Sequence, residues 1–317
     1  MPKTVNILCC TDDNYAPYYG IMLTSLLENA KGADIHIYIL TASLKDTTES
    51  MYLTLARQYG AAIKIISVDE EHLKNCPVRT GDHISLAAYF RLLAPVLLPE
   101  EVSKIIYLDG DIIVDGNILD LWNVDVSDYA LGAVTDESYY LDAAYERLSY
   151  PRTAGYVNSG VLVMNVTYWR EHHVTERLME CIDAQADILT FHDQDAINLV
   201  LHKEIKRLPA RYNLQNGFLQ DHHFQHFTKE LQEDIRQAIQ RPCIIHFGGK
   251  GKPWHRREQH PFLSYFRHYK KVSLWRNHPM SGEKSLYLDF HFVLRKIKQS
   301  LGILPKPYNI PPRKWNR

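Results

Sequence analysis

The sequence predicts an α/β protein with a mostly parallel central sheet and helices on both faces. Two observations support this prediction. Short apolar runs at residues 5–10, 35–40, 63–68 and 104–108 are each typical of a buried strand. Stretches with helical spacing of their apolar residues separate these runs, at residues 18–30, 46–58 and 85–93. Strands that alternate with helices form parallel sheets, because a helical crossover returns the chain to the same edge.

Local signals set the element boundaries. Gly32 ends the first predicted helix, Asp46 caps the second, and the third ends before Pro95. The second half is less regular, with strands predicted at residues 131–135, 160–164 and 243–247 and helices at 167–184 and 193–202. A tyrosine-rich loop is expected at residues 136–151, and the core is expected to end near Tyr269.

Composition limits the classes of function. The chain has 317 residues, 45% of them hydrophobic, and its net charge of −1 gives no reason to expect nucleic acid. Five scattered cysteines lack metal-ligand spacing and favour a reducing compartment. The start of the chain does not fit a signal peptide, and no apolar run approaches the ~20 residues of a membrane span. We therefore expect a cytoplasmic protein that is soluble or lies peripherally on a membrane.

The end of the chain differs from the rest in charge. Residues 290–317 contain seven Lys or Arg and no acid, and subtracting them from the net charge of −1 leaves −8 for the remainder. Leu286, Phe290, Ile297 and Leu301 have helical spacing, with basic residues beside them. A basic amphipathic helix suits an anionic membrane surface, here the inner face of the cytoplasmic membrane. The alternative, a helix packed on the main domain, is almost equally well supported.

Two aspartates, Asp109 and Asp111, follow the strand predicted at residues 104–108. Side chains alternate along an extended chain, so positions i and i+2 project to the same side. Gly110 between them lets the backbone bend and a ligand approach. Carboxylates this close repel unless a cation lies between them, and their oxygens suit Mg²⁺ or Mn²⁺. The alternative is a solvated Asp-Gly turn, which the tripeptide alone does not exclude.

A histidine and a glycine-rich segment occur much further along the chain. His246 falls within the strand predicted at residues 243–247, where it could reach the same sheet edge or could be a buried structural histidine. Histidine beside two aspartates is acceptable to Mn²⁺. The segment GGKGKPW follows at residues 248–254. Its glycines allow backbone N–H groups to face an anion, and Lys250 or Lys252 can neutralise phosphate charge.

The first predicted strand ends in TDDNY, at residues 11–15. Its acid, amide and ring could read a nucleoside through hydrogen bonds to the base or ribose and through stacking. An Asx-turn that leads into the following helix is the simpler local interpretation.

Three further sites carry polar groups. Arg91 lies in a helix that otherwise looks packed, so it needs an acidic partner such as Asp109, or a substrate. Asn158 and the segment HDQD, at residues 192–195, supply groups of the kind that bind sugars. Asp193 could instead cap a helix, and Asp195 could complement a helix dipole.

Together these segments resemble glycosyltransferase family 8, the retaining group with the GT-A fold. TDDNY resembles the family's opening nucleotide motif, YLDGDI at 107–112 its Asp-X-Asp motif, and YVNSGV at 156–161 its Asn-(Ala/Ser)-Gly segment. HDQD and HFGGKGKPW, at 192–195 and 246–254, resemble its late motifs. The resemblance covers roughly the first 270 residues. It implies a Rossmann-like GT-A catalytic domain at residues 1–271 and a helical basic extension at 272–317.

The resemblance also implies roles for particular residues. The metal ligands would be Asp109, Asp111 and His246, for Mn²⁺ or alternatively Mg²⁺. Gly110 supplies no metal-binding side chain within that motif. Asp12, Asn14 and Tyr15 would contact the uridine. Gly249 and Lys252 would contact the diphosphate. The residues around the donor sugar would be Arg91, Asp136, Asn158, Asp193 and Gln194.

The implied activity is transfer of galactose or glucose from a UDP-sugar to a saccharide or glycolipid, such as a lipopolysaccharide precursor. Retention could use Asp193 as a covalent nucleophile, or same-face attack with Gln194 stabilising the sugar cation. We favour same-face attack, because an amide near the reacting carbon is a poor nucleophile. A sugar-nucleotide nucleotidyltransferase is an alternative, although such enzymes usually have a glycine-rich basic loop where TDDNY stands. The second alternative is a non-catalytic protein that binds a sugar nucleotide.

Overall fold

The computed structural model describes residues 3–73, 76, 86–308 and 310–315. Its strands, in chain order, are β1 (Lys3–Cys10), β2 (Ala33–Thr41), β3 (Ala62–Ser67), β4 (Lys104–Leu108), β5 (Ile112–Val114), β6 (Leu131–Thr135), β7 (Val157–Asn165), β8 (Ile205–Leu208) and β9 (Ile244–His246). The helices are α1 (Ala16–Asn29), α2 (Asp46–Tyr59), α3 (Phe90–Leu97), α4 (Ile118–Trp122), α5 (Asp142–Arg147), α6 (Val166–Glu171), α7 (Val174–Gln185), α8 (His192–Leu201), α9 (Asp221–Phe224), α10 (Lys229–Gln240), α11 (Leu263–Val272) and α12 (Leu286–Ser300). Short 3₁₀ helices include Leu86–Tyr89, Ala210–Tyr212 and Asn216–Leu219.

Seven strands form the central sheet in the order β3-β2-β1-β4-β7-β6-β8. Within the described part of this sheet, every strand except β7 runs in one direction. A second, two-stranded sheet pairs β5 with β9 in antiparallel fashion. The predicted α/β class and mostly parallel sheet are therefore confirmed.

Alternation along β1 divides the core between the two faces of the sheet. Ile7 and Cys9 belong to one apolar cluster, together with residues of α1, α2 and α11. Leu8 and Cys10 belong to the other, with residues of α3, α7 and α8. Because both faces are covered by helices, β1 is apolar on both sides, as parallel strands usually are.

The structure differs from the predicted elements in several places. Helix α5 lies within the loop expected at residues 136–151, and the N-cap of α2 is Lys45 rather than Asp46. The helix expected at residues 167–184 is divided into α6 and α7, because His173 has a left-handed φ of 50°. Helix α3 runs through Pro95 rather than ending before it. Strand β8 and helices α10 and α11 were not predicted, although Leu231, Ile235 and Ile239 of α10 have helical spacing after the capping Thr228. The predicted start of α3 at Ser85 lies outside the described residues.

The basic extension is packed at both ends and exposed in the middle. Trp275 is buried against α1, where a Cβ on Gly20 would meet its ring at 2.2 Å. Helix α12 follows with an exposed apolar face, and then Tyr308 and Trp315 pack against the main core cluster. Among the residues that the structure describes, no helix combines the length and apolar character needed to cross a membrane.

Candidate active site

The site lies at one edge of the central sheet, beyond the carboxyl ends of β1, β4 and β6. Asp12, Asp109 and Asp136 follow these three strands. Because β7 is antiparallel to β4, its first residues, including Asn158, lie at this same edge. Ligands of open α/β sheets collect at such an edge, so the topology itself positions the predicted residues.

The two predicted aspartates and the distant histidine come together. Strand β9 pairs with β5 so that His246 lies opposite Ile112, one residue after Asp111. One ligand atom from each of Asp109, Asp111 and His246 falls within 4.8 Å of the other two. Nε2 of His246 is 3.3 Å from Oδ1 of Asp111 and 3.9 Å from Oδ2 of Asp109. Two carboxylates and one imidazole fit Mn²⁺, with Mg²⁺ as the harder alternative.

Two glycines allow this close approach. A Cβ on Gly160 would lie 2.4 Å from Cε1 of His246 and 2.8 Å from Oδ2 of Asp109. A Cβ on Gly110 would lie 2.8 Å from the ring of Tyr19. Gly110 is thus needed at least for the packing of Tyr19, a reason that the sequence did not reveal. Gly160 forms the floor of the three-ligand cluster.

Lys252 lies beside the cluster. Its Nζ contacts Oδ2 of Asp111 and is 3.3 Å from the carbonyl oxygen of Phe247. Burial alone would lower the pKa of Lys252, but Asp111 raises it overall. Burial would likewise raise the pKa of Asp111, and Lys252 and His246 together lower it instead. Gly249, three residues earlier, is exposed and has a left-handed φ of 69° that favours glycine.

Arg91 is buried and connects three parts of the edge. Its Nη2 is 3.2 Å from Oδ1 of Asp109, and its Nε is 3.4 Å from Oδ2 of Asp193. Its Nη1 donates to the carbonyl oxygen of Ser159 over 2.8 Å. The guanidinium carbon lies 4.0 Å from the centre of the Tyr107 ring. The expectation that Arg91 needs an acidic partner is confirmed.

Asp136, Asn158 and Gln194 form a second group, which we call the amide cluster. Nδ2 of Asn158 donates to Oδ2 of Asp136 over 3.0 Å and to Oε1 of Gln194 over 3.2 Å. Nε2 of Gln194 is 3.3 Å from the same Asp136 oxygen, and the N–H of Ser159 donates to Oε1 of Gln194 over 3.0 Å. The three side chains therefore hold one another in place.

The HDQD segment begins helix α8 and is split between two environments. Asp193 is 4% exposed, and burial raises its pKa although Arg91 opposes the shift. Gln194 is partly exposed and faces the amide cluster. Asp195 is fully buried and accepts hydrogen bonds from Arg147 and Tyr156, so it has a structural role.

The TDDNY segment forms the turn that its sequence suggested. Oδ1 of Asp12 accepts hydrogen bonds from the N–H groups of Asn14 and Tyr15, each over 2.9 Å. The Asn14 side chain is exposed. The half-buried ring of Tyr15 lies 6.0 Å from Trp254, on the glycine-rich segment. TDDNY therefore lies next to the glycine-rich segment that carries Lys252.

Sequence reasoning missed three residues of the site. Asn213 is fully buried and bonds both His246 and Asn158. Gly160 belongs to the YVNSGV motif, but nothing in the sequence indicates that its missing side chain leaves room for the ring of His246. Glu137 accepts a hydrogen bond from the N–H of Gly217 over 2.5 Å, and burial, with the neighbouring Asp136, raises its pKa to about 7.

Comparison with known proteins agrees with this geometry. The structure superposes on the galactosyltransferase LgtC, solved in complex with donor and acceptor sugar analogues, with a TM-score of 0.78 and 24% identity over 86% of this chain and 99% of that one. This likeness establishes the GT-A fold. The family model described as glycosyl transferase family 8 matches residues 6–258, and the chain belongs to that family. It is therefore a family 8 glycosyltransferase, and the nucleotidyltransferase alternative is not retained.

Curated relatives include proteins with named activities. The chain is 28% identical over 277 residues to general stress protein A of Bacillus subtilis, covering 86% of this chain and 95% of that protein. It is also 28% identical over 284 residues to a lipopolysaccharide 1,2-glucosyltransferase of Escherichia coli, with 87% and 81% covered. Identity to the lipopolysaccharide 1,3-galactosyltransferase of Salmonella typhimurium is 22% over 301 residues, with 92% and 86% covered.

Proposed function

We propose that this protein is a retaining, divalent-metal-dependent hexosyltransferase that uses a UDP-hexose as donor. The observation that carries the proposal is the cluster of Asp109, Asp111 and His246, placed directly beside the amide cluster at one sheet edge. Such an arrangement has separate places for a charged diphosphate and for a sugar rich in hydroxyl groups. Mn²⁺ is the preferred ion for this mixed donor set.

The donor would lie across the edge from β1 towards β7. Oδ2 of Asp12, together with Asn14 and the ring of Tyr15, would contact the uridine. The N–H groups around Gly249 and the ammonium of Lys252 would bind the diphosphate. The metal cluster lies between these residues and the amide cluster, which would bind the hexose together with Arg91. This order matches the order of groups in a nucleotide sugar.

Breaking the anomeric C–O bond leaves negative charge on the diphosphate. When bound, the divalent ion would supply Lewis-acid stabilisation of that charge. Lys252 would add a second positive charge after exchanging its contact with Asp111 for a phosphate oxygen. Arg91 holds Asp109 in place through the guanidinium contact at 3.2 Å. These residues favour a charged leaving group over a neutral one.

Same-face attack is the mechanism we propose for retention. Asp193 is buried and paired with Arg91, so its carboxylate is poorly placed to attack a sugar in the cleft. Gln194 is partly exposed and is oriented by Ser159 and Asn158. Its amide dipole would stabilise an oxocarbenium-like sugar while the departing phosphate accepts the proton of the acceptor.

The donor sugar and acceptor are proposed from the relatives. The lipopolysaccharide glucosyltransferase and galactosyltransferase named above transfer glucose and galactose, respectively. UDP-glucose and UDP-galactose are therefore the first donors to test, and a lipopolysaccharide precursor or another glycolipid is the acceptor class. A cytoplasmic location at the inner membrane face would give access to both.

The deciding experiment measures UDP release from a panel of UDP-sugars, with Mn²⁺, with Mg²⁺ and with EDTA. We expect one UDP-hexose to be consumed strongly in Mn²⁺, more weakly in Mg²⁺, and not in EDTA. The anomeric configuration of the product, read by NMR, should equal that of the donor. A chain that binds UDP-sugars tightly but never releases UDP, with or without glycan acceptors, would be a binding protein instead.

Helix α12 supports attachment to an anionic membrane surface. Its apolar residues are widely exposed, with Leu286 at 89%, Phe290 at 59% and Ile297 at 48%. Arg295, Lys296 and Lys298 lie on the same helix and complement anionic lipid headgroups. An apolar face this exposed is costly in water, and a lipid surface would cover it.

Vesicle binding tests this attachment in the full chain. Replacing Leu286, Phe290 and Val293 together by glutamate should abolish flotation with vesicles that contain phosphatidylglycerol. Leu53, an exposed leucine on α2, provides the matched control, and Leu53→Glu should float like the wild type. Equal flotation of the α12 variant and the wild type would reject the membrane role.

A further inference from the structure

Hydrogen bonds join the imidazole of His246 to the amide cluster through a single side chain. Nδ1 of His246 lies 2.9 Å from Oδ1 of Asn213. Nδ2 of Asn213 donates to Oδ1 of Asn158 over 2.8 Å. Nδ2 of Asn158 in turn donates to Oδ2 of Asp136 over 3.0 Å. Asn213 thus bridges the metal cluster and the group that would hold the donor sugar.

The backbone around Asn213 is held independently of its side chain. The N–H of Leu214 donates to the carbonyl oxygen of Ile244 over 2.9 Å, and the N–H of His246 donates to that of Leu214 over 3.0 Å. The N–H of Asn213 donates to the carbonyl oxygen of Ala210 over 3.0 Å. A substitution that changes only the amide therefore leaves these contacts to β9 in place.

Backbone and carboxylate groups with fixed hydrogen-bonding roles determine the orientation of the side-chain amides of Asn158 and Asn213. Oδ1 of Asn158 accepts from the backbone N–H of Gly160 over 3.0 Å, and that group can only donate. Nδ2 of Asn158 faces the carboxylate of Asp136, which also accepts from the N–H of Ser138 over 2.8 Å. Asn158 cannot be flipped without losing these bonds. Its oxygen therefore requires the NH₂ of Asn213, and the carbonyl oxygen of Asn213 must face His246.

We infer that Asn213 is a positioning residue for the metal centre. Its side-chain carbonyl oxygen favours the form of a neutral His246 ring that carries the proton on Nδ1 and leaves the lone pair of Nε2 for a cation. It opposes Asp111, whose Oδ1 lies 3.3 Å from Nε2 and favours a proton there when no cation is bound. Partners of this kind fix the tautomer and orientation of a metal-binding histidine, and their loss costs about 10- to 100-fold in metal affinity. The inference rests on the proposed function and extends it, because the residues assigned to the sugar also set the state of a metal ligand.

Two substitutions separate the two contacts of Asn213. Asn213→Ala removes both, and we expect its Kd for Mn²⁺, measured from the EPR signal of the free ion, to rise about 10- to 100-fold. Asn213→Asp keeps an acceptor for Nδ1 but sets a carboxylate oxygen against Oδ1 of Asn158. In this variant Mn²⁺ affinity should be kept or increased, while kcat for sugar transfer falls.

Asn165 provides a matched control. It lies at the far end of β7, about 23 Å along the strand from Asn158, and its Nδ2 donates to the carbonyl oxygen of Val126 over 3.1 Å. Asn165→Ala should lower the free energy of unfolding without changing the Kd for Mn²⁺. An equal loss of Mn²⁺ affinity in this control would mean that general destabilisation, not Asn213, explains the effect.

The tautomer can be read without metal or activity. Long-range ¹H–¹⁵N spectra of the metal-free protein, labelled at histidine and recorded at alkaline pH, should show a larger fraction of the Nδ1–H form of His246 in the wild type and in Asn213→Asp than in Asn213→Ala. The variant His246→Gln identifies the signal, and in Asn213→Ala the proton should shift towards Nε2, which faces Asp111. Equal Mn²⁺ affinity and the same tautomer in wild type and Asn213→Ala would overturn the inference. A wild type that neither binds Mn²⁺ nor transfers sugar would count against the proposed function, whatever the tautomer.

Discussion

Around His246 the site is charged, whereas around Asn158 it consists mainly of amides. In the first region Asp111 lies between His246 and Lys252, and the pKa of each partner is shifted by the others. In the second region the hydrogen bonds of Asn158, Gln194 and Asn213 have defined donors and acceptors. The arrangement of the charged region depends on the presence of a cation, whereas that of the amide region depends on the direction of its hydrogen bonds. Substitutions should therefore affect the two regions in different measurements.

The largest effect is expected for Asp111→Asn. The change removes a ligand charge and leaves Lys252 without its carboxylate partner. We expect kcat/KM for transfer from the UDP-hexose to fall about 10³-fold or more, because the stabilisation of leaving-group charge is lost. Enzymatic UDP release measures the loss. Asp128→Asn, at an exposed aspartate, should have wild-type activity, and an Asp111→Asn activity within tenfold of wild type would contradict the assigned role.

Gly160→Ala should have the next largest effect. Its new methyl group would overlap Cε1 of His246, so the imidazole or the Asp109 carboxylate must move. We expect Mn²⁺ affinity to fall about 100-fold, comparable with the loss of a supporting ligand contact. Gly60→Ala is the control, because Gly60 has a φ of 66° and no neighbour within 4 Å. That variant should lose about 1 kcal/mol of stability and no Mn²⁺ affinity.

Gln194→Ala should affect the amide region alone. Loss of its dipole is expected to lower kcat about 10- to 100-fold, equivalent to about 1.4–2.7 kcal/mol, with the Kd for Mn²⁺ unchanged. Steady-state kinetics and Mn²⁺ titration on the same preparation provide both values. Gln237→Ala, on the exposed side of α10, serves as control. An unchanged transfer rate in Gln194→Ala would remove this residue from the mechanism.

Glu137→Gln should have the smallest effect, on stability. Burial raises the pKa of Glu137 to about 7, so between about pH 4.5 and 7 the folded protein keeps a proton that the unfolded chain releases. Stability contributed by this group therefore falls as pH rises through that window. The variant should be more stable than wild type by about 1–2 kcal/mol at pH 8 and equal to it near pH 4.5. Urea unfolding at the two pH values measures this, and a constant difference would contradict it.

The charged region could be predicted from the sequence more fully than the amide region. Asp109 and Asp111 follow an apolar run whose end marks a sheet edge, and His246 lies in another such run, so the pattern allowed the three to meet there, and the family resemblance implied that they do. The fold class followed from the same signal. Pairing of β5 with β9 then produced the register that brings the histidine to the aspartates.

Asn213 could not be predicted in the same way. It follows the 3₁₀ helix Ala210–Tyr212 in a segment without periodicity, and it reaches the site through the bridge between Leu214 and Ile245. The role of Gly160 depends on where the His246 ring lies, which only the packed structure determines. The roles of such single residues arise from contacts with residues distant in sequence, so the local sequence pattern does not reveal them.

The domain boundary at residue 271 stays a prediction.

The reversed direction of β7 has a consequence for how this site can change over evolution. Asn158 and Gly160 lie in β7 between Val157, which pairs with Thr135 of β6, and Val161, which pairs with Leu108 of β4, so the paired residues on either side of them restrict their positions. Most of the preceding connection between β6 and β7, residues 139–155, lies outside the sheet and outside the amide cluster. Insertions or deletions there could change the protein surface near the site while Asp136, Asn158 and Gln194 keep their positions. Under the proposed function, such changes could alter the surface offered to an acceptor without altering the residues that act on the donor.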